Sequence, residues 1–170
     1  MSHSQSDQPN PTIISDHTKS VIDDCLKKFP ADQKQSAILG ALQEVQHENK
    51  GFITVELMDA VAEYLDMSKI AVYEVASFYS MIETEPVGRH SISVCNNISC
   101  MLNGADDLID HIEKKLQIKT GETTEDGRIF LKQEEECLAA CCGAPMMMID
   151  HVYFENLTTE KVDQILDDLE

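Results

Sequence analysis

Four cysteines fall in two pairs, Cys95 and Cys100 in CNNISC and Cys137 and Cys141 in CLAAC. Four residues lie inside the first pair, 36 between the pairs and three inside the second. A [2Fe–2S] cluster takes four thiolates, and two short loops can each present one pair to one iron. The rival chemistries are a structural zinc site, thiol–disulfide exchange, and cysteines buried as small hydrophobes. Zinc sites favour gaps of about two to four residues, which CNNISC meets at the limit and CLAAC comfortably. Exchange catalysts want C-x-x-C at a helix N-terminus, and no such motif occurs. A C-x₄-C pair also opens the plant-type ferredoxin pattern, but Asn103 stands where the third cysteine belongs. Any further ligands therefore come from the distant CLAAC loop. Spacing ranks iron–sulfur ahead of zinc and leaves both open.

Other residues with ligand chemistry rank lower. Cys142 adjoins Cys141 and is the alternative fourth ligand, although packing beside the site is the preferred reading. Cys25 lies within a helical pattern and reads as core. Met146, Met147 and Met148 read as strand core rather than thioether ligands. His90 and His151 could replace thiolates as in Rieske centres, but four cysteines suffice. His111 falls on the polar side of its helix and reads as surface.

The elements that must hold the pairs follow from periodicity. From Asp16 to Ile82 the pattern is helical, with Ile38, Leu42 and Val45 on one stripe and Met58, Val61 and Leu65 on another. Val72, Val75, Tyr79 and Ile82 form a third, with Thr54 and Ser68 as N-caps. After the linker Glu83 to Gly88, His90 to Val94 alternates as a strand that ends at Cys95. An amphipathic helix carries Leu108, Ile109, Ile112 and Leu116, and Gly121 to Gly127 reads as a turn. Arg128 to Lys132 begins a strand running to about Glu134, just before Cys137. Met146 to Ile149 and Val152 to Phe154 form a hairpin around Asp150 and His151, and Thr158 caps a last helix with Val162, Ile165, Leu166 and Leu169. The expected architecture is α+β: a tail over 1–15, a helical bundle over 16–85, and a thioredoxin-like α/β domain over 86–170. Both pairs then sit on loops at strand ends, where α/β proteins place ligands.

Composition narrows the partners. The 170 residues carry a net charge of −18, which repels nucleic-acid backbones and anionic lipid. A basic protein face is the more natural partner. No apolar run approaches the roughly 20 residues of a membrane span, and the N-terminus shows no signal-peptide or presequence pattern. A reducing cytosol is expected, where six cysteines favour metal or redox chemistry over disulfides. No Gly-rich phosphate loop and no acid–base constellation is present, so NADH or flavin binding by this chain is not expected.

Several stretches together resemble the E-subunit family of bacterial NADH-quinone oxidoreductase, respiratory complex I. They are Val75 to Ser80 (VASFYS), Pro86 to His90 (PVGRH), Cys95 and Cys100 with Asn103 and Gly104, Gly121 to Gly127 (GETTEDG), and Cys137 to Cys141 with Ala144 to Met146. The resemblance spans residues 16–170 in the family's order. It implies a thioredoxin-like ferredoxin with one [2Fe–2S] cluster on Cys95, Cys100, Cys137 and Cys141. It also implies that FMN and NADH sit in a partner flavoprotein subunit. Single electrons from that FMN would enter this cluster, within the peripheral arm on the cytoplasmic face of the bacterial inner membrane. The chain would be part of an oxidoreductase and translocase with no complete active site of its own. The alternatives are the equivalent subunit of a soluble NAD-linked hydrogenase or formate dehydrogenase, and a non-redox zinc module.

Overall fold

The structure, a computed structural model, describes residues 13–132 and 137–169. Of the expected 1–15 tail, residues 1–12 lie outside the described residues, as does the strand end near Glu134; Ile14 is instead buried in the helical core and Ser15 caps the first helix. The chain divides between Pro86 and Val87 into two compact units.

The first unit holds α1 (Asp16–Leu26), α2 (Ile38–Glu48), α3 (Val55–Leu65) and α4 (Lys69–Phe78), with a 3₁₀ turn at Lys34–Ala37. Side-chain caps start two of these helices: Ser15 accepts the Thr18 amide at 3.1 Å, and Thr54 that of Leu57 at 3.4 Å. Ser68 occupies the N-cap position of α4 without a side-chain capping bond. Leu42, Val45, Val61, Leu65 and Val72 are fully buried in one core. The expected stripe to Ile82 is interrupted, because Tyr79 turns extended and ends α4, yet Ile82 is still buried beyond it. Buried Gln46 ties that segment down, donating to the Met81 carbonyl at 3.1 Å and accepting the Glu83 amide at 2.7 Å. Cys25 lies near the end of α1 and is half-buried. Its Sγ is 3.2 Å from where a Cβ on Gly40 would stand, so its partner is the close approach of α2.

The second unit is built on β1 (His90–Val94), β2 (Glu122–Thr123), β3 (Ile129–Lys132), β4 (Met147–Ile149) and β5 (Val152–Phe154). Its helices are α5 (Ile98–Leu102), α6 (Ala105–Leu116) and α7 (Thr159–Asp168). The sheet order is β2-β3-β1-β4-β5, with β1 and β3 parallel and the other pairs antiparallel. Central β1 places Ile92 opposite Leu131 on one side and Ile149 on the other. Those residues, with Ile112, Ile129, Val162 and Leu166, form the buried core, each such side chain contributing about 1.5–3 kcal/mol. Gly88 is required at the entry to β1: a Cβ there would stand 2.7 Å from the Ile129 carbonyl carbon and the Phe130 amide nitrogen.

Two local readings change. The stretch Gly121 to Gly127 contains β2, whose two residues pair with Leu131 and Phe130, and the turn itself narrows to Thr124–Gly127. A two-residue strand is too short to show a period. His111, expected at the surface, is half-buried with Nε2 2.8 Å from Asp163 Oδ1, which joins α6 to α7. Lys115 extends this link to Asp163 at 3.3 Å and Asp167 at 2.7 Å.

The hydrogen bond to His111, with Lys115 adding to it against burial, holds the Asp163 carboxyl below its ordinary value. A depressed carboxylate contributes stability that is present above its unfolded pKa and lost as pH falls through the folded one. Asp163→Asn should therefore lower the urea midpoint near pH 7, with the gap to the native protein closing toward about pH 3. Urea titrations across that range test this, and a gap independent of pH would contradict it.

Candidate functional site

The site begins where β1 ends. Cys95 follows Val94 directly, and its amide donates to the Met146 carbonyl at 3.2 Å. The Asn97 side chain then accepts the Ile98 amide at 2.9 Å and starts α5, while Asn103 Nδ2 closes it on the Ser99 carbonyl at 2.7 Å. That single turn carries Cys100 inward. Cys95 and Cys100 are 2% and 1% exposed and pack with Ala105 and Met146, bordered by Leu138, Ala140 and Ala144.

The second loop is built differently. Cys137, Cys141 and Cys142 are all exposed. Ala139 has φ +62°, a left-handed conformation costing an L-residue about 1–2 kcal/mol. Its amide donates to Cys137 Sγ at 3.3 Å. A 3₁₀ turn over Cys141–Gly143 follows, anchored by the Asn156 amide on the Gly143 carbonyl (2.7 Å) and the Leu157 amide on the Pro145 carbonyl (3.0 Å). The Ser99 hydroxyl donates to the Cys141 carbonyl at 3.4 Å and joins the loops.

The two cysteine pairs predicted from sequence thus come together. Cys95 neighbours both Cys100 and Cys137, and Cys137 neighbours Cys141. Burial pushes the Cys95 thiol up, but the Leu138 and Asn97 amides and the two neighbouring thiols outweigh it, so its pKa is lowered. Burial, then the bond to Cys95, pushes Cys100 up to about 11 against a backbone bond at Met146. Cys141 is raised by its hydrogen bond to Cys137 and by that neighbour's charge. No three of the described His, Cys, Asp and Glu residues converge as a group for one ion. The cysteines instead adjoin in a row, Cys100 by Cys95, Cys95 by Cys137 and Cys137 by Cys141, and four thiolates shared by two irons is what a [2Fe–2S] centre asks of its ligands. An all-sulfur donor set with amides aimed at sulfur fits a [2Fe–2S] group.

The remaining candidates lie elsewhere. Met146 and Met147 are fully buried and Met148 half-buried. His90 sits at the opposite end of β1 from Cys95, with Nδ1 2.6 Å from Asp150 Oδ2. His151 and Asp150 form the hairpin turn at that same end, both with positive φ. Sequence reasoning missed Asn97, Ser99 and Ala139. Asn97 before a short apolar run was a readable cap signal, whereas nothing local marks an alanine as left-handed.

A model of the thioredoxin-like [2Fe–2S] ferredoxin family matches residues 22–170. The chain belongs to that family. Among curated relatives of this ferredoxin, the E subunit of NADH-quinone oxidoreductase from Rickettsia felis is 43% identical over 149 residues, spanning 88% of this chain and 89% of the relative. Its counterpart from Rickettsia bellii is 42% identical over 150 residues, spanning 88% and 89%. In solved structures, the air-oxidised NAD⁺-reducing [NiFe]-hydrogenase shares the fold with a TM-score of 0.67 at 19% identity. The match takes in 83% of this chain but only 24% of that longer one. Its H₂-reduced form gives 0.62 at 20% identity, over 78% and 22%.

Gly143 controls how the second loop seats. A Cβ there would lie 2.5 Å from the Cβ and Cδ of Glu155. Gly143→Ala should destabilise by about 1–3 kcal/mol, and Glu155→Gly should recover part of that loss. Chemical denaturation of the two single variants and the double variant checks it; strict additivity would show that the contact is not the cause.

Proposed function

We propose that this chain holds one [2Fe–2S] cluster on Cys95, Cys100, Cys137 and Cys141 and passes single electrons within a respiratory NADH-quinone oxidoreductase. The observation that carries this is the pairing of four thiols from two loops at the end of β1, in a chain of the [2Fe–2S] ferredoxin family. The bound cluster supplies a one-electron store. The chain's own part is to anchor Cys95 and Cys100 in an apolar pocket and to direct the Leu138, Asn97 and Ala139 amides at sulfur. Its Rickettsia relatives are E subunits of NADH-quinone oxidoreductase, and in such a complex we place this chain beside a flavoprotein subunit holding FMN and NADH, in the peripheral arm at the cytoplasmic face of the membrane. No helix among the described residues is long and apolar enough to cross a membrane, which is compatible with that place. The second reading is the corresponding subunit of an NAD-linked hydrogenase, favoured by the shared fold; the relatives at 42–43% identity favour the first.

Anaerobic purification followed by metal analysis and EPR tests the cluster. About two irons and two sulfides per chain and a rhombic signal on one-electron reduction are expected. Serine at any of the four positions should abolish the signal, while Cys25→Ser and Cys142→Ser should retain it. A colourless protein with one tight zinc would sink the reading.

The same site has a character suited to a partner. Neither residues 90–105 nor 137–149 contain Asp, Glu, Lys or Arg, in a chain with 31 acidic and 13 basic residues. Beside the thiols, Ile98 and Leu102 on α5 are 69% and 75% exposed. A flavoprotein can close on such a surface without stripping water from charges, while the acidic remainder steers the approach. Ile98→Glu combined with Leu102→Glu should weaken association with the flavoprotein subunit by about tenfold or more, roughly 1.4 kcal/mol, with cluster content unchanged. Titration calorimetry measures this, and unaltered affinity would place the contact elsewhere.

A further inference from the structure

Seven non-glycine residues of the described chain have positive φ, and six of them have a local reason. Asp66 and Gln117 end helices, Lys50 follows one, Asp150 and His151 turn a hairpin, and Asn156 is a residue type that tolerates the conformation. Ala139 ends no helix and joins no pair of strands. It lies between the cysteines of the second loop, where strain must be held by its surroundings.

What the left-handed turn achieves is visible in the hydrogen bonds. The consecutive amides of Leu138 and Ala139 point at sulfurs of opposite pairs, the first at Cys95 and the second at Cys137. The reversal at Ala139 also brings Cys141 back to Cys137 while those amides stay directed inward.

We propose that Ala139 is a positioning residue that raises the reduction potential of the centre: its left-handed backbone aims the Leu138 and Ala139 amides at sulfur and favours the more negative, reduced state. This rests on the four cysteines holding the [2Fe–2S] group. One-electron reduction adds one negative charge to a centre already bound by thiolates, and amide dipoles in contact with sulfur stabilise that charge. An alanine here keeps a strain that glycine would relieve, so the geometry, not the side chain, is what the loop needs.

The test compares the full-length native protein with Ala139→Gly, Ala139→Leu and Ala139→Val in anaerobic redox titrations followed by EPR. Glycine accepts the conformation and should leave the potential unchanged while raising the unfolding midpoint. Valine, whose β-branch opposes positive φ, should shift the potential to more negative values. Leucine should fall between, and carries the comparison if the valine variant does not retain its cluster. Hydrogen exchange gives a second readout: the Ala139 amide, on an exposed loop, should exchange more slowly in the native and Gly variants than in the Val or Leu variant. Equal potentials across cluster-bearing variants would overturn the proposal, as would a Gly variant that shifts as far as valine or leucine. A native protein that binds no iron and sulfide would instead overturn the cluster reading beneath it.

Discussion

One hydrogen bond fixes the site: the Cys95 amide on the Met146 carbonyl, which carries the β1–β4 ladder one step beyond the Val94–Met147 pair. It sets the end of the first cysteine loop against the return of the second. On one side, the Asn97 cap and one helical turn deliver Cys100. On the other, Gly143 and Pro145 are clamped by the Asn156 and Leu157 amides, so Cys141 cannot drift from the sheet. A slip of one residue in β4 would send the Met146 and Met147 side chains to the wrong faces and separate the pairs. The site is therefore only as accurate as the register of central β1, which is why its neighbours are large buried aliphatics.

Local and distant charge act on this site in opposite directions. The net charge of −18 opposes adding an electron, but its carriers lie outside the two uncharged stretches. Screening length at physiological salt is about 8 Å, so solvated carboxylates farther away are much attenuated. The Ala139 amide donates to the exposed Cys137 Sγ at 3.3 Å, and the Leu138 amide faces the buried Cys95. Contact dipoles in a partly buried pocket outweigh remote screened charges per group. The nearest carboxylates, Glu136 adjoining Cys137 in sequence and Glu155 against Gly143, still oppose the added charge.

The long periodic elements were legible from sequence because each buries a full stripe. Leu108 and Ile112 declare α6, alternating Ile92 and Val94 declare β1, and Thr54 and Thr158 cap the helices they precede. The five-residue helix that turns Cys100 inward was not legible, since one turn has no period to read. The same holds for two-residue β2. The partner of His111 lies 52 residues away, and no local pattern reports a contact of that separation. Cys25 read as mid-helix core is instead a half-buried thiol near the end of α1, set by the absence of a side chain on Gly40. The four-thiol set was visible as composition and spacing; the amides around it were not, because backbone donors leave no trace in side-chain identity.

The two pairs are held to different standards, and that asymmetry has a physical use. Cys95 and Cys100 are locked among Ala105 and Met146, where a shift of either would open a cavity in a packed interior. Cys137 and Cys141 are exposed, held by backbone geometry and the strained Ala139 rather than by packing. A centre gripped rigidly from beneath keeps its position relative to the sheet, while an open upper side lets a partner approach closely. Burying all four thiols would protect the centre but lengthen the path to any donor. Exposing all four would leave no low-dielectric side in which amide dipoles act strongly. Half-burial at the end of a central strand satisfies both demands with two loops and one short helix.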